Sequence, residues 1–190
     1  MSNTNRTLEP KTRKNNIVFT PPKLANFIAE IIEHKKYKTI LDPAIGAGHL
    51  IEPYKKDKYI LGGDKYDIGG GADEFILNDI DAQEFNFSVE PDVIIMNPPF
   101  NGASGRRLFP EVFLKKIFDR YGYDKPVIMI TGDNFLNNTR LSSKRRSWIK
   151  EKNIQITSII TLPLDVFEGV QFNTQVLFFN IDGIKPHYMY

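Results

Sequence analysis

The chain contains no cysteine, which excludes disulfides, thiolate metal sites and cysteine nucleophiles and suits a reducing interior. It has no apolar run approaching the roughly 20 residues that span a bilayer. Its first sixteen residues, MSNTNRTLEPKTRKNN, carry nothing like the apolar stretch of a signal peptide. The expectation is a cytoplasmic protein with no membrane association. Nor is there a large excess of one charge: 25 Lys+Arg against 23 Asp+Glu leave a formal +2. Proteins held on nucleic acid by bulk electrostatics are more basic than this, so any such contact must come from local patches. Two patches qualify, Arg106-Arg107 and the run Lys144, Arg145, Arg146, Lys150 and Lys152. The histidines His34, His49 and His187 show no metal-ligand spacing, and no metal site is expected. Ser142, Ser143 and Ser147 sit in no nucleophile motif, and the single tryptophan, Trp148, reads as a packing residue.

What the chain does have is enough apolar residue, 41% of 190, for one proper core. The expected division is a flexible basic arm over residues 1–16 and one folded domain over 17–190. Pro21-Pro22 suits a helix start, with Thr20 as its cap and Leu24, Phe27, Ile28, Ile31 and Ile32 at helical spacing. Tyr37 to Leu41 reads as a buried strand ending at Asp42-Pro43, followed by a glycine loop and a helix over residues 47–56. Further strands are expected at Tyr59 to Asp64, Phe75 to Asp79, Asp92 to Met96, Pro126 to Ile130, Ile154 to Leu162 and Gln175 to Ile181, the last closing the chain. Helices are expected over Phe109 to Arg120 and Arg140 to Lys152. Strands alternating with helices imply a mostly parallel sheet covered on both faces.

In such sheets ligands bind beyond the carboxyl ends of the strands, where the strand order reverses. Asp42, Asp64, Asp79 and Asn97 all fall at predicted strand ends. In Asp42-Pro-Ala-Ile-Gly-Ala-Gly48, Gly46 and Gly48 let backbone approach a ligand, and no Gly-Lys-Ser/Thr follows to hold a triphosphate. Asp64 stands where an acid can accept from both hydroxyls of a ribose. Asn97-Pro98-Pro99-Phe100 says more. A carboxamide ending a buried strand is costly unless bonded, and the two prolines remove donors and leave acceptors. The Asn97 oxygen and the Pro98 carbonyl can both accept from one exocyclic NH2, drawing its lone pair out of conjugation, while Phe100 offers a face for a planar ring.

With these residues the chain resembles class I S-adenosylmethionine-dependent amino-methyltransferases, especially adenine-N6 DNA methyltransferases whose cofactor motif precedes the catalytic one. The resemblance runs from about Phe19 to Asn180. Phe19-Thr20-Pro21-Pro22 looks like the motif that helps bind the methionine end of the cofactor, and Asp42 to Leu50, Ala44 included, is similar to the cofactor loop Asp-Pro-Ala-Cys-Gly-Ser-Gly. Ile45 and Ala47 depart from that pattern at positions where the loop works mainly through its backbone. Asp79 falls where the family sets an acid against the cofactor's adenine, with Ile80 on that ring. Leu162-Pro163 to Phe167 and Thr174 to Phe179 look like the late motif beside the target pocket, which adds Phe167 and Asn173 as substrate contacts.

The resemblance implies a Rossmann-like α/β sheet of seven strands, five of them parallel and the terminal strand antiparallel. It implies S-adenosylmethionine as cofactor and transfer of a methyl group to N6 of adenine in DNA, the base rotated out of its stack, in a restriction-modification setting. Arg106 and Arg107, in a glycine-containing loop free to move, would close on phosphates. No separate target-recognition domain is expected, so the chain should either methylate with a very short or relaxed preference or gain its selectivity from a second subunit, a specificity subunit or a homodimer partner. The competing readings are methylation of adenine in RNA or of a protein glutamine, and a non-catalytic binding or anti-restriction module that keeps the fold.

Overall fold

The computed structural model describes residues 18–77, 79, 84–100, 108–137, 141–170 and 172–190. Along the chain run helix α1 (Pro22–Ile32), strands β1 (Thr39–Asp42), β2 (Tyr59–Asp64), β3 (Glu74–Leu77) and β4 (Val93–Met96), and helix α2 (Phe109–Tyr121). Strand β5 (Val127–Gly132), the short helix α3 (Asn134–Asn137), helix α4 (Leu141–Glu151) and strands β6 (Ile156–Leu162), β7 (Thr174–Phe179) and β8 (His187–Met189) complete it. All eight strands join one sheet in the order β3-β2-β1-β4-β5-β7-β6-β8. The first five run parallel, and β7 lies antiparallel between β5 and β6. The order reverses between β1 and β4, which puts the crevice for a ligand above the carboxyl ends of those two strands.

Side-chain alternation divides the core between the two faces. Ile40, Ile60, Val93, Ile95, Ile128 and Ile130 pack with Leu24, Ile28 and Ile32 of α1. Their neighbours Leu41, Leu61, Ile94, Met96, Val127 and Met129 face the other way, onto Leu114, Ile117 and Phe118 of α2 and Ile149 of α4. Strands buried on both faces read as continuous apolar runs, as parallel sheets require. Trp148 belongs to this packing, its ring 6.3 Å from Phe118 and 6.5 Å from Tyr123. Among the described residues no helix is long and apolar enough to cross a membrane.

Four expectations need correction. The sheet has an eighth strand: β8 pairs parallel with β6, so the antiparallel strand β7 is not the last. With only three residues behind Pro186, β8 lacks an apolar run and is held through Tyr188 and Tyr190, whose rings lie 6.5 and 5.4 Å from Phe27 of α1. Residues 47–56 form no α-helix; a single 3-10 turn, Glu52–Tyr54, sits there with Pro53 inside it. Thr20 does not cap α1: the N-cap position is Pro21, and no side chain bonds there. Arg145 is no surface cation. It is 1% exposed, donating to Glu111 Oε2 through Nε (3.1 Å) and Nη2 (2.9 Å) and to the Phe135 carbonyl through Nη1, and so ties α4 to α2 and α3.

Two buried ionisable groups generate predictions. Arg145→Met takes the donors from Glu111 Oε2 and the buried Phe135 carbonyl, although Lys115 still holds Glu111 Oε1 at 2.7 Å, so it should lower unfolding free energy by about 2–4 kcal/mol in urea titration; a change within about 0.5 kcal/mol would contradict the tie. Asp42, buried at the end of β1, has its carboxyl pushed from 3.8 to about 8, above all by burial, against the lowering effect of the Ala44 amide and with a further push from the Asp64 charge. The native state therefore keeps a proton that the unfolded chain releases. Its contribution is complete below about pH 4 and is lost as pH rises through about 8. Asp42→Asn keeps an acceptor for Ala44 and removes the titration, so the variant should gain on the wild type between melts at about pH 5 and about pH 8. Parallel melts would place the Asp42 carboxyl elsewhere.

Candidate active site

Three strand ends build the site. In the register, Asp42 of β1 lies beside Gly62, and Leu41 beside Ile94 of β4. Asp64 and Asn97 thus project past Asp42 on either side of the loop that leaves β1. That loop is fixed from both ends. Asp42 Oδ1 accepts from the Ala44 amide at 3.0 Å, the Ile45 amide donates to the Gly63 carbonyl at 3.1 Å, and the Gly46 amide donates to Asp64 Oδ2 at 2.8 Å. Asp64 Oδ1 accepts from the Tyr66 amide at 3.0 Å. A carboxylate has about four lone-pair directions, so two remain for a pair of hydroxyls.

The two loop glycines have different reasons to be glycine. Gly46, at φ +52°, faces open space: a Cβ there would meet nothing nearer than the Ala44 carbonyl at 4.0 Å. A ligand can approach that backbone directly. Gly48 instead turns towards the β2–β3 connection, where its Cβ would lie 2.1 Å from the Gly70 carbonyl oxygen. Gly70 is equally constrained by the Gly46 carbonyl at 2.8 Å. The connection over residues 65–73 contains no helix and lies backbone to backbone on the loop. An adenosine-bearing cofactor fits this arrangement: bare backbone at Gly46, spare acceptors on Asp64, and Asp79 just past β3. Asp79 is paired with Lys65 at 3.0 Å, while Ile80 lies outside the described residues.

Asn97 follows directly from β4. Its Nδ2 donates to the Val18 carbonyl and to Thr20 Oγ1, both at 3.0 Å. Its Oδ1 is buried and has no hydrogen-bond partner. A buried acceptor left unpaired costs about 1–3 kcal/mol, which a donor from outside regains. Pro98 is buried, Pro99 half-buried and Phe100 only 7% exposed. Two rings meet Phe100 nearly at right angles: Phe167, centroid 5.8 Å away, and Phe172 at 5.5 Å. The three aromatics are packed on one another, and Phe172, 38% exposed, forms their outer member.

Of the residues singled out from sequence, Thr20, Pro21, Asp42, Ala44, Gly46, Asp64, Asn97, Pro98, Pro99, Phe100 and Phe167 converge on this end of the sheet. Gly48 is buried beneath the Gly70 segment. Asn173 is exposed, its carbonyl accepting from the Asp133 amide at 2.9 Å. Arg106 and Arg107 lie outside the described residues. Phe172 was not anticipated; the only hint was an aromatic directly before Asn173-Thr174. Also unforeseen was the contact of Val18 and Thr20 with Asn97. Among the described residues no group of His, Asp and Glu side chains could hold a metal ion.

Comparison with known proteins bears on the fold. Residues 7–68 match the family described as N-6 DNA methylase. The type I restriction enzyme MjaVII methylase subunit of Methanocaldococcus jannaschii is 30% identical over 114 residues, covering 48% of this chain and 20% of that protein. Among solved structures, a modification subunit attributed to a type I restriction enzyme of Vibrio vulnificus YJ016 superposes with a TM-score of 0.70 at 19% identity, over 91% of this chain and 47% of the other. A protein described as a class I S-adenosylmethionine-dependent methyltransferase from Listeria monocytogenes gives 0.68 at 20% identity, over 93% and 67%. The chain thus spans about a fifth of its curated relative and about half of the first of these structures. It shares the fold of these S-adenosylmethionine-dependent methyltransferases, and its residues 7–68 resemble the N-6 DNA methylase family.

Proposed function

We propose that this chain transfers a methyl group from S-adenosylmethionine to the N6 amino group of adenine in DNA, as the catalytic domain of a type I-like methylase that takes its site selection from a partner. The observation that carries the reading is Asn97: both amide hydrogens face fixed acceptors, and the buried oxygen is left without a donor. An amine that donates one hydrogen to this oxygen and one to the Pro98 carbonyl has its lone pair freed from conjugation with the ring. When bound, the cofactor supplies a methyl group on a positively charged sulfur.

The chain's own residues bind and orient. Asp64 accepts from the ribose hydroxyls with its spare lone pairs, Gly46 admits the ligand against its backbone, and Asp79 faces the adenine end. Phe100, with Phe167 and Phe172 around it, receives the extruded base once the trio parts. The amine would gain the methyl carbon as that carbon's bond to sulfur breaks and a neutral thioether leaves, and the surplus amine proton would pass to solvent, so no strong base is needed. Alignment of amine and methyl contributes to the rate by holding the two in reacting geometry. Arg106 and Arg107, with the exposed Lys144, Arg146 and Lys150 of α4, are the candidates for phosphate contacts.

Incubation with labelled cofactor and, separately, DNA, RNA and a protein extract tests the reading. Label should appear in DNA as N6-methyladenine; label confined to RNA or to protein glutamine would favour the competing substrates, and none in any would favour a binding module. Asn97→Ala should cut transfer to below about a tenth while cofactor affinity stays within a few-fold, the signature of an interaction made in the transition state. Asp64→Ala should do the reverse, weakening calorimetric cofactor binding by about 1.5–3 kcal/mol. Unchanged affinity would remove Asp64 from the site.

A further inference from the structure

The contact between Asn97 and the segment before α1 joins residues 77 and 79 positions apart. A primary amide can present either end after half a turn about its terminal bond, and only one orientation gives the proposed chemistry. The Val18 carbonyl can only accept, so it demands Nδ2. The Thr20 hydroxyl oxygen, on a side chain just 3% exposed, accepts the second hydrogen. Thr20 does not cap α1, so this contact is the one the structure gives its hydroxyl.

We infer that Thr20 is a positioning residue for Asn97: with the Val18 carbonyl, its hydroxyl holds the amide so that Oδ1 faces the target amine. This rests on the reading of Asn97 as the amine's acceptor. It assigns residues 18–20 a task distinct from holding the cofactor's methionine end. Loss of the hydroxyl leaves Val18 still favouring the correct orientation, so the effect is a partial loss.

The test compares Thr20→Val, which keeps shape and removes the acceptor, with Thr20→Ser, which restores it, and with Asn97→Ala. Two quantities are read: kcat and KM at saturating cofactor on adenine-containing DNA, and hydrogen exchange of the Asn97 side-chain amide by NMR in ligand-free protein. Thr20→Val should lower kcat by about tenfold, the factor governed by one ordinary hydrogen bond, with KM for DNA little changed and amide exchange faster. Thr20→Ser should recover both. Should valine prevent folding, Thr20→Ala serves in its place. A Thr20→Val defect that vanishes at saturating cofactor, or unchanged kcat and exchange beside an inactive Asn97→Ala, overturns the inference alone. An active Asn97→Ala enzyme overturns the reading of Asn97 and this inference with it.

Discussion

The amide of Asn97 must be satisfied on one side only, and much of the site follows from that. Strand β4 is buried along its whole length and ends by delivering a carboxamide into the crevice between β1 and β4. An amide there with both ends paired would be inert, and one with neither end paired would be costly and free to turn. The extended residues Val18 to Thr20 take the donor end. Pro98 and Pro99 bring no backbone N–H that would quench the acceptor end.

The side of the crevice proposed for the cofactor is built with equal economy. The β1 and β2 connections carry a 3-10 turn and a glycine segment where a larger doubly wound protein places helices. Stability comes from direct contact between backbones, Gly48 on Gly70 and Gly70 on Gly46, which no side chain at either position would allow. Asp64 then serves two roles, bonding the Gly46 and Tyr66 amides while keeping lone pairs outward. Asp42 is the counterpart inside: burial favours its neutral form, and it serves as a structural acceptor for the loop.

Legibility in the sequence tracked the range of the interactions. β1, β2, β4, β5 and β7 were readable because double-sided burial writes itself as unbroken apolar runs, and the acids and amide at their ends stood out against that background. β8 was not, because it depends on Tyr188 and Tyr190 meeting Phe27, about 160 residues away in the chain. Gly48 was legible as glycine but not for its reason, since Gly70 supplies it. Arg145 looked like its neighbours Lys144 and Arg146; only the placement of Glu111 and the Phe135 carbonyl makes it an interior residue. Thr20 was assigned to the site through the resemblance of Phe19 to Pro22 to a family motif, while its contact with Asn97 spans too much chain for any spacing to announce.

The most direct measurement is a crystal structure of the protein with S-adenosylhomocysteine and a DNA whose adenine is extruded into the site. The account predicts N6 within hydrogen-bond distance of Asn97 Oδ1 and of the Pro98 carbonyl, with Nδ2 still donating to Val18 and Thr20 and the base against Phe100. An amide turned to present Nδ2 to the base, or an adenine held elsewhere on the protein, would contradict it.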